Sequence, residues 1–96
     1  MNNRNPKKLD KSAKALISAY DLYAEKLYRY VLLRTSSKET TEDIVSNVFL
    51  KTWDYLQKEK GSIKNYQAFL YRVAHNLLVD YYKGKSKSAV SLETLN

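Results

Sequence analysis

Apolar residues recur at three- and four-residue steps along almost the whole chain, the pattern of amphipathic helices packed on one another. Ala13, Leu16, Ile17, Tyr20, Tyr23, Leu27, Tyr30 and Val31 form the first series. It predicts one long helix from about residue 11 to 35, or two with a bend near Asp21. Ser36-Ser37-Lys38-Glu39 then supplies a stop and a restart, with Ser36 and Glu39 at capping-box spacing. A second helix is expected from about 38 to 59, with Gly61 as the left-handed residue past its end. Asn65 is placed to cap a last helix reaching about residue 83, where Lys-Gly-Lys-Ser-Lys-Ser should dissolve into a flexible tail. No useful Val/Ile/Thr alternation appears, so strands are not expected. The fold class is all-α, a compact bundle of three to four helices. Residues 1–10 read as a basic flexible N-terminus, 11–84 as the helical domain, and 85–96 as a flexible tail or the start of an interdomain linker.

The faces of these helices separate on a wheel of 100° per residue. Ile44, Val45, Val48, Thr52 and Leu56 gather on one side of the second helix. Asp43, Ser46, Asn47, Leu50 and Asp54 gather on the other, and Leu50 stands at the centre of that polar stripe. A leucine bracketed by carboxylates and amides marks either a chance exposed side chain or the apolar centre of a protein-binding patch. Trp53 lies at the edge between the two faces and reads as core packing. On the last helix, Tyr66, Leu70, Val73, Ala74, Leu77 and Tyr81 form the inward stripe. Arg72, His75, Asn76, Val79 and Lys83 point outward, with Tyr71 and Tyr82 on the flank. The expected core is Leu27, Val31, Ile44, Val48, Leu56, Leu70, Val73 and Leu77.

Charge changes this picture because it is segregated. The chain of 96 residues has a formal net charge of +7. Arg4, Lys7, Lys8, Lys11 and Lys14 against Asp10 give one basic end. Lys60, Lys64, Arg72, Lys83, Lys85 and Lys87 against Asp80 give the other, while residues 15–59 are close to neutral. Such a field attracts polyanions. For the first end, a solvated solubilising tail is the better account of the lysines. The second end interleaves its charges with aromatics, and Arg, His, Asn and Lys beside Tyr is the mix that meets phosphates and bases.

Composition narrows the chemistry. One domain is expected at this length. Two Gly and one Pro are too few for a turn-dense all-β fold, and nine of the twelve aromatics are Tyr. With no Cys there is neither a disulfide scaffold nor a thiolate metal site, which suits a reducing compartment. The N-terminus shows no signal peptide, and no apolar run approaches the roughly 20 residues that span a bilayer. A cytoplasmic protein without membrane contact is expected. The lone His75 has no Cys, Asp or Glu at ligand spacing and no Ser or Cys placed as its nucleophile. A phosphate-cradling Gly loop and HExxH are both missing. The chain therefore reads as non-enzymatic, without cofactor or metal.

TEDIVSNVFLKTW followed by NYQAFLYRVAHNLLVDYYKGK resembles region 2 of bacterial RNA polymerase sigma factors, particularly the extracytoplasmic-function (ECF) class. The resemblance covers roughly Leu27 to Lys87: two motifs, in order, at the right separation, ending in a basic stretch. It implies a transcription initiation domain that docks on the clamp helices of core RNA polymerase's largest subunit. There it would open promoter DNA at the −10 element by capturing bases of the non-template strand. An anti-sigma factor is a further partner class. Asp43, Ser46, Asn47 and Leu50, with Asp54 on the same stripe, fall where the family meets the polymerase. Lys60, Ser62, Lys64, Asn65 and Tyr66 fall on the connector that holds a flipped-out base. Tyr71, Arg72, His75 and Asn76 fall on the helix facing the melting DNA, and Lys83, Lys85 and Lys87 extend it toward phosphates.

The chain departs from the family's pattern in places. Ser46 and Asn47 stand where Gln and then Glu or Asp are usual, removing a long donor/acceptor and a negative charge. Phe69 replaces a more frequent Trp. A complete sigma factor would continue into a helix-turn-helix domain reading the −35 element, so these residues correspond to an isolated domain or to a short relative. Two readings outside the family stand beside this one. One is a protein-interaction module using the Leu50 stripe; the other is a nonspecific nucleic-acid-binding bundle using the lysines alone.

Overall fold

The computed structural model describes the backbone of residues 6–59 and 62–95, and the side chains of residues 11–58 and 62–84. Three helices, α1 (Pro6–Thr35), α2 (Lys38–Glu59) and α3 (Tyr66–Leu95), each pack against the other two. The first helix is continuous through Asp21 and begins five residues earlier than expected. Pro6 suits its first position, where a missing N–H is not needed and φ is already helical. At the other end, α3 continues past the expected stop near residue 83 to Leu95. The Lys-Gly-Lys-Ser run contains a single Gly and no Pro, so it disfavours a helix by only about 1 kcal/mol at Gly84.

The α1–α2 corner corrects the expected capping box by one residue. Ser36 has φ 56°, the left-handed conformation that ends a helix, and its N–H donates to the Leu32 carbonyl at 2.8 Å. Ser37 is the true N-cap: its Oγ accepts from the Thr40 N–H at 3.1 Å, and its carbonyl accepts from the Thr41 N–H at 2.9 Å. Glu39 is exposed and takes no part. With its own position spent on ending α1, Ser36 cannot also begin α2. Gly61, expected to close α2, lies outside the described residues.

Burial follows straight rows of every third or fourth residue. Ala19, Leu27 and Val31 line α1, Thr41, Ile44, Val45, Val48, Thr52 and Leu56 line α2, and Leu70, Ala74 and Leu78 line α3. The expected core holds for Leu27, Val31, Ile44, Val48, Leu56 and Leu70. It needs correcting on α3, where Leu78 is buried while Val73 and Leu77 are only partly so. Its apolar residues run on as Leu77-Leu78-Val79, so the arc is too wide for a wheel to locate the centre. On α1 the row through Ala19 leaves Ile17 and Tyr20 on the margin, 59% and 53% exposed rather than inward. Tyr20 still covers Phe49, ring centroids 4.9 Å apart. Trp53 is partly buried, as its edge position implies. The buried threonines are satisfied: Thr52 Oγ1 donates to the Val48 carbonyl at 2.7 Å, and Thr35 and Thr41 bond each other.

Candidate functional site

The outer stripe of α2 is built by what the inner stripe leaves over. Asp43, Ser46, Leu50 and Asp54 are exposed and Asn47 is partly buried, with Leu50 63% open. Asp54 pairs with Lys58 at 3.2 Å across one helical turn in full solvent, which contributes little to stability. The stripe is thus an apolar knob among acids and amides, on the side of α2 away from the core.

The connector from Ser62 to Asn65 positions the second group. Asn65 caps α3 as expected: its Oδ1 accepts from the Ala68 N–H at 3.0 Å, and its carbonyl accepts from the Phe69 N–H at 3.0 Å. The cap commits the acceptor of this side chain and leaves its NH2 as the free donor. On one side of the connector lies a cleft of about 220 Å³, smaller than a drug-sized pocket. Ser62, Lys64, Asn65 and Arg72 supply its polar groups. Its aromatic wall is Tyr55 and Phe69, ring centroids 4.9 Å apart. On the other side, a cleft of about 260 Å³ lies between Lys64, Asn65 and Tyr66 and the α1 residues Ala15, Ser18, Leu22 and Tyr23. Tyr66 is partly buried against the core, and burial pushes its hydroxyl pKa above the usual 10.0. It is a wall of that cleft, not a free stacking ring.

The structure therefore joins Ser62, Lys64, Asn65 and Arg72, and seats Tyr66 behind them. His75, Asn76 and Lys83 are exposed on α3 beyond Arg72. Lys83 lies about 16 Å farther along the helix axis at 1.5 Å per residue. Tyr71 turns toward α1, meeting Tyr30 edge-on with centroids 5.0 Å apart. Lys60 lies outside the described residues, as do the side chains of Lys85 and Lys87. Sequence reasoning missed Tyr55 and Phe69 as cleft walls: Phe69 lies one turn before Arg72 on α3, but only the packing of α2 on α3 brings Tyr55 to it. Among the described residues, no group of three His, Cys, Asp or Glu side chains is placed to hold a metal ion. No helix among them is long and apolar enough to cross a membrane.

Sigma-70 region 2 matches residues 19–88 of the chain, which spans all of both faces. The chain belongs to the sigma-70 region 2 family. Relatives of this region 2 domain are ECF sigma factors. It is 33% identical over 64 residues, 67% of the chain, to the ECF RNA polymerase sigma factor BldN of Streptomyces coelicolor. It is 31% identical over 61 residues, 64% of the chain, to SigL of Mycobacterium tuberculosis. Over 73 residues, 76% of the chain, it is 27% identical to SigM of Bacillus subtilis. The matches span only 24%, 34% and 43% of those relatives, respectively. No solved structure matches the chain significantly. Region 2 domains belong to transcription initiation factors, not enzymes, in line with the expectation from the residue inventory.

Proposed function

We propose that this region 2 domain docks on core RNA polymerase through the outer stripe of α2. We further propose that it captures an unpaired base of the promoter −10 non-template strand in the connector cleft. The observation that carries the reading is the cleft: one aromatic wall, three polar side chains of the connector, and the Arg72 guanidinium around a space of about 220 Å³. Opening a duplex breaks base stacking, and a pocket that restacks an extruded base on Tyr55 and Phe69 recovers part of it, about 1–3 kcal/mol. Donors from Lys64, Arg72 and the Asn65 NH2 would read the base edge and hold the flanking phosphates. Leu50 supports the docking half, since covering an exposed leucine removes apolar area from water at the centre of the stripe.

The polymerase, the promoter strand and any anti-sigma factor are partners proposed from the family. The test is a gel shift with bacterial core polymerase, comparing single-stranded −10 sequence, its scrambled version and the duplex. Preference for the single −10 strand supports the reading. Equal binding of −10 and scrambled strands with polymerase present refutes base capture, and failure of a polymerase pull-down refutes docking.

A further inference from the structure

The seam between α1 and α3 holds a stack that neither the connector cleft nor the α2 stripe uses. The guanidinium carbon of Arg34 lies 3.7 Å from the centroid of the Tyr30 ring, and Nη1 donates a 2.8 Å hydrogen bond to the Tyr30 carbonyl. Behind it, Tyr30 meets Tyr71 edge-on at 78°. Tyr82, one residue before Lys83, donates its hydroxyl hydrogen to the Arg34 carbonyl. Tyr30 and Tyr71 are partly buried against the core, whereas Arg34 is exposed. A side chain with many rotamers is thus held against a ring that is itself held.

Complementing the dipole at the end of α1 does not account for this arrangement. A lysine would do that equally and needs no ring beneath it. The Tyr30 carbonyl is not among the four orphan acceptors of the helix end, so the Nη1 bond is not a cap.

We infer that the outward face of the Arg34 guanidinium is a stacking platform for a second unpaired base of a single-stranded nucleic acid, backed by Tyr30 and Tyr71. The inference rests on the single-strand binding proposed above. Unpaired bases stack on Arg planes as they do on aromatic rings, and the cation also favours the anionic backbone. Placement agrees with this occupant. Tyr82, whose hydroxyl bonds the Arg34 carbonyl, directly precedes Lys83 on α3, so the platform lies by the basic end of that helix.

The experiment scans a −10 oligonucleotide with 2-aminopurine, one position at a time, with core polymerase present. Wild type is compared with Arg34→Lys, Arg34→Ala and Tyr30→Phe. Stacking quenches the fluorescence at one position other than the captured base. That quench is expected to vanish in Arg34→Ala and Arg34→Lys and to persist in Tyr30→Phe. Arg34→Lys should weaken binding roughly tenfold while the salt slope stays constant, because charge is kept and only the plane is lost. Its thermal unfolding should match wild type. If Arg34→Lys binds and quenches like wild type, Arg34 is only a charge and the inference is wrong. A cleft quench insensitive to Tyr55→Leu, alongside an intact Arg34-dependent quench, removes base capture on the cleft's aromatic wall and leaves the platform standing. If no single strand binds better than duplex, both fall together.

Discussion

Thr35 and Thr41 share a 2.8 Å hydrogen bond between their hydroxyls, buried in the corner where α1 hands the chain to α2. The two ends of that bond are not equivalent. Thr35 Oγ1 also lies 3.2 Å from both the N–H and the carbonyl of Ser37, whereas Thr41 is fully buried. Thr35→Val should therefore destabilise by about 1–3 kcal/mol, leaving the Thr41 hydroxyl stranded. Thr41→Val should cost less, about 0.5–1.5 kcal/mol, and the double variant less than the sum. Urea titrations of the three variants check the ordering; equal single losses would mean the corner relaxes around either hydroxyl.

Ser36 occupies a left-handed conformation that disfavours any side chain by about 1–2 kcal/mol relative to glycine. Part of that gain is offset by the greater freedom of glycine when unfolded. Ser36→Gly is expected to stabilise by about 0.5–1 kcal/mol and Ser36→Val to destabilise, measured by the denaturation midpoint. A neutral or harmful Ser36→Gly would show that the serine side chain has a role at the corner.

The buried row of α3 gives a sharp comparison of neighbours. Leu78→Ala and Leu70→Ala should each cost about 2–5 kcal/mol, and Leu77→Ala well under half as much. Calorimetry or urea titration distinguishes them. A larger loss at Leu77 would place the centre of the helix face elsewhere.

How far these features could be read from the chain depends on what set them. Helix positions were legible because the apolar period is strong and Asn65 is a cap by its own chemistry. The opposed faces of α2 were legible because Ile44, Val45, Val48 and Leu56 fall on one side and the polar stripe around Leu50 on the other. Leu78 was not, because it sits in the continuous apolar run Leu77-Leu78-Val79, from which spacing alone does not pick the innermost residue. The Ser37 cap was hidden by adjacent serines, where only the backbone angle at Ser36 decides which one begins α2. Tyr55 and Phe69 became neighbours through tertiary folding, which spacing along the chain does not encode.

Leu50→Asp should abolish binding to core polymerase while leaving the helical circular-dichroism signal intact. It sets a charge at the centre of a patch that docking must desolvate. If the variant unfolds, Leu50 is a core residue. If it binds normally, the stripe is not the docking face.

Asn65 needs a substitution that spares its structural duty. Asn65→Ser keeps an acceptor for the Ala68 N–H, so stability should fall by under about 0.5 kcal/mol, while the free amide donor is lost. Discrimination between −10 and scrambled strands should drop with little change in salt dependence. Arg72→Ala and Lys64→Ala should do the reverse, flattening the slope by about 0.7 for each phosphate contact removed. Titrations at several salt concentrations separate the two behaviours; a flatter slope in Asn65→Ser would mean the asparagine reads no base.

From Arg72 to Lys83 the outward groups are borne on one uninterrupted helix whose opposite side is the buried row through Ala74 and Leu78. Such a segment has no hinge, so its side chains keep their spacing whether or not a partner is present. A single strand, by contrast, samples many shapes. In the proposed encounter the protein backbone has little freedom to lose, so beyond the rotamers of the contacting side chains the ordering falls on the strand, which conforms to the helix as to a template. Strands stiffened in a conformation that fits this template should then bind better than flexible ones of the same sequence.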